Sequence, residues 1–166
     1  MNFDILTNEE IFNGGNLLML VGPPGSGKST LAKQIRTEQM NFEIVCPDDI
    51  RKELAVDATN QDRNTEVFTK VYSRISAYLN EGYNVIYDAT NCRSAYRHKI
   101  IDVAHKANCK KIICICMTTP IGDCLERNRD CDNDRVVPEK VIENMYFSLR
   151  KHPPMIFEGF DAIVKA

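Results

Sequence analysis

Two hydrophobic periods alternate along this chain. Leu17 to Val21 is a short apolar run that stops at Gly22 and reads as a strand. Residues 28–39 then place Leu31 and Ile35 four apart among good helix formers, the spacing of one buried helix face. Asn41 to Cys46 reads as a second strand, and Pro47-Asp48-Asp49 opens a further helix with Asp48 as a natural N-cap. Residues 64–80 carry Val67, Val71, Ile75 and Leu79 at steps of four, which predicts an amphipathic helix closed by Gly82. Tyr83 to Tyr87 forms a third strand that ends in Asp88, Ser94 to Ala107 a helix, and Lys111 to Met117 a continuous apolar strand of the doubly covered kind. Pro120 to Arg129 and Pro138 to Lys151 read as helices, and Phe160 to Val164 as a last strand. Ahead of all these, Thr7-Asn8-Glu9-Glu10 has capping-box form and predicts a brief helix through Phe12, before an Asn13-Gly14-Gly15-Asn16 turn.

Strands alternating with helices predict an α/β fold in three layers (α/β/α), around a parallel sheet of about five strands. No repeat, low-complexity tract or linker interrupts the pattern, so residues 1–166 are expected to form a single domain, with 1–16 as an N-terminal preface. Composition changes this picture little. With 43% hydrophobic and 27% charged residues the chain has an ordinary globular balance, and a net charge of −2 excludes a globally basic nucleic-acid coat. The seven cysteines are odd in number and contain no Cys-x-x-Cys pair, which suits reduced thiols and a cytoplasmic location better than a disulfide framework or a zinc site. No apolar run approaches membrane-spanning length, and no membrane association is expected.

The chemistry begins where the first strand ends. Gly22-x-x-x-x-Gly27-Lys28-Ser29 fits the phosphate-binding loop pattern at every fixed position, between a predicted strand and a predicted helix. Backbone N–H groups can ring a phosphate only where the chain tolerates unusual dihedrals and close approach, which Gly22, Gly25 and Gly27 allow. The helix N-terminus that follows favours an anion. The nucleotide-binding set is therefore Gly22, Pro23, Gly25, Ser26, Gly27, Lys28, Ser29 and Thr30, with Lys28 reaching the β- and γ-phosphates of ATP and the Ser29 hydroxyl offered to Mg²⁺. This makes the fold that of a P-loop NTPase.

Ligands collect at the carboxyl ends of parallel strands, so the loop, Asp48-Asp49 and Asp88 should converge on one rim. Asp48 is then a general base toward a hydroxyl, or a cap of the helix that carries Arg51; the two roles are compatible. Asp88 is a member of the Mg²⁺ shell or a strand-ending turn residue. The polar stretch Arg127 to Arg135, within a segment of about 127–137, is a lid with an arginine finger or a solvated charged loop. Arg93, Arg97, His98 and Lys99 would receive acceptor phosphates or form an exposed helix face.

Together, Gly22 to Thr30, Asp48-Asp49-Ile50-Arg51, Asp88-Ala89-Thr90-Asn91 with Arg93 and Arg97, Arg127-Asn128-Arg129, and Val137-Pro138 with Val141-Ile142 and Met145 resemble the kinase domain of phage-type 5′-hydroxyl polynucleotide kinases. The resemblance implies ATP and metal binding by Lys28 and Ser29, a general base at Asp48 and an acceptor-phosphate contact at Arg51. It also implies a catalytic lid arginine at Arg127 or Arg129; Asn91, Arg93 and Arg97 are further candidates for binding the acceptor. This chain departs from the phage enzyme in reading Asp-Ala-Thr-Asn in place of Asp-Thr-Asn and in the length of the lid, and no phosphatase domain is expected within its 166 residues. The expected activity is Mg²⁺- and ATP-dependent transfer of the γ-phosphate to a hydroxyl, with the 5′-OH end of RNA or DNA as the favoured acceptor. A small-molecule or aminoacyl-tRNA kinase, and an ATP-binding switch or hydrolase, are the alternatives.

Overall fold

The structure, a computed structural model, describes residues 13–39, 41–54, 64–131 and 136–166. In chain order its elements are β1 (Leu17–Val21), α1 (Lys28–Glu38), β2 (Phe42–Val45), α2 (Pro47–Glu53), α3 (Asn64–Asn80), β3 (Asn84–Tyr87), α4 (Ser94–Lys106) and β4 (Ile112–Cys116). There follow α5 (Ile121–Arg129), α6 (Glu139–Lys151), a 3₁₀ turn (Ile156–Glu158) and β5 (Ala162–Lys165). The sheet order is β2-β3-β1-β4-β5, with every neighbouring pair parallel. This is the expected three-layer α/β/α architecture.

β1 lies at the centre and is buried along its whole length, so its side chains divide between two cores. Leu17, Met19 and Val21 face the larger one, which takes in Val67, Val71, Ile75 and Leu79 of α3 and Ile100, Ile101 and Ala104 of α4. Leu18 and Leu20 face the other way, onto Leu31, Ala32 and Ile35 of α1. Period-2 alternation in the strand and period-3.6 stripes on the helices are thus matched layer by layer. The chain passes from β1 outward to β2 on one side and later crosses to β4 on the other. This places the topological switch point, and hence the crevice, at the carboxyl end of β1.

The helix over 64–80 and the strand over 17–21 have the boundaries their apolar patterns predict; β2, β3 and β4 are shorter than expected by a residue at one or both ends, and β5 begins two residues later and ends one residue later than expected. Asp48 is a correction: Cys46 is the N-cap of α2, Pro47 occupies the first helical turn, and no side chain caps the helix. Proline's fixed φ is already helical, so the helix starts before Asp48 and leaves its carboxylate free to do something else. The predicted helix through Phe12 lies outside the described residues. No helix among the described residues is long and apolar enough to cross a membrane.

One buried ion pair ties the carboxyl end of the chain to the layer above the site. Arg97 on α4 is 0% exposed, and its Nε and Nη2 donate to the two carboxylate oxygens of Glu158, each at 2.7 Å. Its Nη1 donates to the Asn91 carbonyl at 3.1 Å and Nη2 also to that of His152 at 3.3 Å. A buried pair breaks even only when its remaining donors are satisfied in this way, and removing one partner strands a charge. Glu158→Leu is therefore expected to lower unfolding stability by about 3–5 kcal/mol, and Arg97→Met with Glu158→Leu to recover most of it. Urea unfolding checks this; equal losses in the single and double variants would contradict it.

Candidate active site

The phosphate loop is held in shape from behind by α5. Gly25 has φ +77°, and a Cβ there would lie 2.3 Å from the carbonyl oxygen of Cys124, so no side chain fits. The Thr119 hydroxyl donates to the Ser26 carbonyl at 2.9 Å, and Arg127 Nη1 to the Gly25 carbonyl at 3.3 Å. From the other side, the Gly22 N–H donates to the Thr90 carbonyl at 2.9 Å. Gly27, with φ +92°, is the N-cap of α1, whose first turn carries no acidic residue to oppose its positive end. Pro23 and Ser26 are buried, and Ser29 and Thr30 are exposed at the mouth of the loop.

Two charged groups sit almost out of water beside it. The Lys28 ammonium, 8% exposed, donates to the Pro23 carbonyl at 2.7 Å and to Ser26 Oγ at 3.3 Å. Burial lowers its pKa, and the Asp88 carboxylate is the strongest influence in the other direction. Asp88, 6% exposed, follows β3; burial pushes its carboxyl above the usual carboxylate range, against a hydrogen bond from Ser29 and the charge of Lys28. Asp88 and the Ser29 hydroxyl are thus joined hard oxygen donors at the end of the loop. That donor set suits Mg²⁺, which takes few protein ligands and completes its octahedron with water and phosphate oxygens.

Asp48 and Arg51 form a second pair across the rim, one helical turn apart on α2. Arg51 Nη1 donates to Asp48 Oδ1 at 2.5 Å, and Arg51 Nη2 reaches Asn64 Oδ1 at 3.4 Å at the start of α3. The Asp48 side chain is 80% exposed, whereas Arg51 is largely covered. A fixed cation therefore holds an accessible carboxylate.

The remaining candidates separate. Arg127 reaches the loop through the Gly25 carbonyl, and Arg129 turns away, its Nε donating to Glu139 Oε1 at 2.7 Å in the first turn of α6. Between them, the Asn128 amide donates to the Val137 carbonyl at 2.8 Å and its oxygen accepts the Val137 N–H at 2.9 Å. Both ends of the expected lid are thereby fastened together; its residues 132–135 lie outside the described residues. Arg93 is exposed, with its guanidinium 6.0 Å from the Tyr96 ring centroid.

Arg97 and Asn91 are corrections to the expected acceptor contacts. Arg97 is spent on Glu158, and Asn91, at φ +50°, is buried with its amide donating to the carbonyls of Leu20 at 2.8 Å and Ala89 at 3.3 Å. Both hold the loop after β3 in place. Sequence reasoning also missed Thr119 and the Cys124 backbone, which shape the phosphate loop across about a hundred residues of chain and leave no local pattern to find.

Residues 17–152 match the AAA domain family. No curated protein is significantly similar to the chain in sequence. Among solved structures, the chain is similar to Pnkp1 in the Pnkp1/Rnl/Hen1 RNA repair complex, at 27% identity and a TM-score of 0.75, over 84% of this chain and 45% of that one. It thus spans less than half of that relative's length. Kti12 from Chaetomium thermophilum, in complex with ADP-AlF3, is 16% identical with a TM-score of 0.68, over 90% of this chain and 88% of that one. Shikimate kinase from Acinetobacter baumannii, in complex with shikimate, is 17% identical with a TM-score of 0.58, over 95% and 87%. The last two likenesses show the fold alone. With its phosphate loop on a parallel sheet and its match from β1 to beyond α6, the chain belongs to the AAA domain family, as a P-loop kinase-type domain.

Proposed function

We propose that this domain transfers the γ-phosphate of ATP to the 5′-hydroxyl at an RNA or DNA end. The observation that carries the reading is the Asp48–Arg51 pair, a carboxylate exposed on the rim and held by a covered guanidinium. A 5′-hydroxyl in a polynucleotide always has a phosphate on the 3′ side of the same sugar. A base and an anion contact one helical turn apart suit that acceptor. The likeness to Pnkp1 of an RNA repair complex supports the same choice.

In this mechanism Asp48 accepts the proton of the attacking hydroxyl and Arg51 receives the neighbouring phosphate. The hydroxyl oxygen forms a bond to the γ-phosphorus as the bond to the β,γ-bridging oxygen breaks, and ADP leaves. Lys28 and the loop N–H groups hold the β- and γ-phosphates, and Arg127, whose Nη1 reaches the Gly25 carbonyl, would meet charge that develops on the transferred group. Asp88 and Ser29 would hold Mg²⁺, which when bound supplies charge neutralisation between the two phosphates.

Asp48→Asn is expected to lower kcat by ~10²–10⁴ with little change in the KM for ATP. In the wild type a nucleoside 3′-monophosphate should be a better acceptor than the nucleoside, and Arg51→Gln should erase that preference. Steady-state kinetics with both acceptors decide; an unchanged kcat in Asp48→Asn would remove it from the base role.

Asp88 makes a separate prediction through its raised pKa. A carboxyl whose folded value is raised adds stability below its unfolded value and loses that contribution as pH rises through the folded one. At about pH 7.5 the ionised Asp88 is therefore a cost, so Asp88→Asn should raise the Tm of the nucleotide-free protein, and the gain should shrink toward about pH 4.5. The same variant should lose the Mg²⁺-dependent part of the thermal shift given by ATP. Thermal denaturation across this range tests both; a lower Tm at neutral pH would contradict the assignment.

A further inference from the structure

A cleft of about 330 Å³ opens between the loop after β3 and helix α6, and its chemistry differs from that of the phosphate site. Its inner end is built on that site. Thr90, which lines it, accepts the Gly22 N–H through its carbonyl at 2.9 Å, and the Cys92 thiol donates to the same carbonyl at 3.3 Å. A molecule seated in the cleft therefore has one end beside the first glycine of the phosphate loop.

One wall is Arg93 and Tyr96, with the guanidinium 6.0 Å from the ring centroid and the tyrosine 56% exposed. The opposite wall is one stripe of α6: Val141, Asn144, Met145 and Ser148, at helical spacings of three, four and seven. Among the described residues Arg93 is the only cation in the lining, which does not suit a polyanion, and a polyol would leave the ring, Val141 and Met145 without matching surface. A flat heterocycle matches both walls. It presents a π-face to Tyr96, apolar surface to Val141 and Met145, and hydrogen-bonding edges to Asn144 and Ser148. The outer face of α4 continues the theme one turn further on, where Lys99 Nζ lies 5.8 Å from the Tyr72 ring centroid.

Resting on the kinase reading above, we infer that this cleft binds the 5′-terminal nucleobase of the acceptor by stacking on Tyr96, so that the domain selects nucleic-acid ends over other hydroxyls. Tyr96 is then a binding residue for the base and Arg93 backs its ring.

The test is a cycle of two changes, Tyr96→Ala in the protein and a 5′-terminal abasic residue in a 5′-OH oligonucleotide, read as the acceptor KM in labelled-phosphate transfer. Because Tyr96 is exposed, its replacement leaves the core intact, and the KM for ATP serves as the control. Each change alone should raise the acceptor KM by roughly 5- to 100-fold, the range of base–aromatic stacking. Together they should raise it little further, because they remove one shared interaction. Tyr96→Phe should restore the wild-type value. Fully additive effects, or an abasic end accepted as well as an intact one, would overturn the base site and leave the kinase reading standing. If the wild type phosphorylates no 5′-OH oligonucleotide at all, both fall together.

Discussion

Lys28 and Asp88 are held almost out of water at the carboxyl edge of the sheet, where burial disfavours the charged form of each. Each partly compensates the other, and Ser29 contributes a hydrogen bond to the carboxylate. In the proposed mechanism a polyphosphate with its metal would relieve both costs at once, since the anion would meet the ammonium and the N–H groups while the cation would meet the carboxylate and the hydroxyl. Such a pair is tolerable only on a backbone that cannot relax away from it. The contact of Gly25 with the Cys124 carbonyl, the Thr119 bond to Ser26 and the Gly22 bond to Thr90 provide that rigidity from two sides.

A second layer of polar contacts supports the first. The loop after β3 carries Asp88 and Thr90, and it keeps its course because the Asn91 amide donates to the Leu20 and Ala89 carbonyls and Arg97 donates to the Asn91 carbonyl. Arg97 is in turn fixed by Glu158 in the 3₁₀ turn ahead of β5. Burial of that ion pair therefore links the last strand of the fold to the loop beside the phosphate loop. Across the rim Asn64 plays a similar part for Arg51, and through it for Asp48. Chemistry at the rim thus depends on side chains that never reach it.

The parts of this design that repeat at short range could be read from the sequence. Val67, Val71, Ile75 and Leu79 bury one face of α3 as their spacing requires, and the glycines of the phosphate loop lie between β1 and α1, with Lys28 and Ser29 opening the helix. Asp48 has the residue type of a cap, but Pro47 takes the start of the helix ahead of it. The burial of Arg97 is not evident from its charge: it shares a helical stripe with Ile100, Ile101 and Ala104, all buried, and its partner lies 61 residues away. The choice between Arg127 and Arg129 depends on how α5 rotates against Gly25 and on Glu139 capturing the second arginine, and neither is a local property.

The central claim is that the phosphate loop and the Asp48–Arg51 pair act on one acceptor class. Its most direct measurement is transfer of labelled γ-phosphate from ATP and Mg²⁺ to a 5′-OH oligonucleotide, beside the matched 5′-phosphorylated oligonucleotide and a set of small polyols. Label on the 5′-OH oligonucleotide alone, released as a 5′-terminal phosphate, is the predicted result. Label on a polyol with none on the oligonucleotide, or hydrolysis of ATP indifferent to every acceptor, would contradict it.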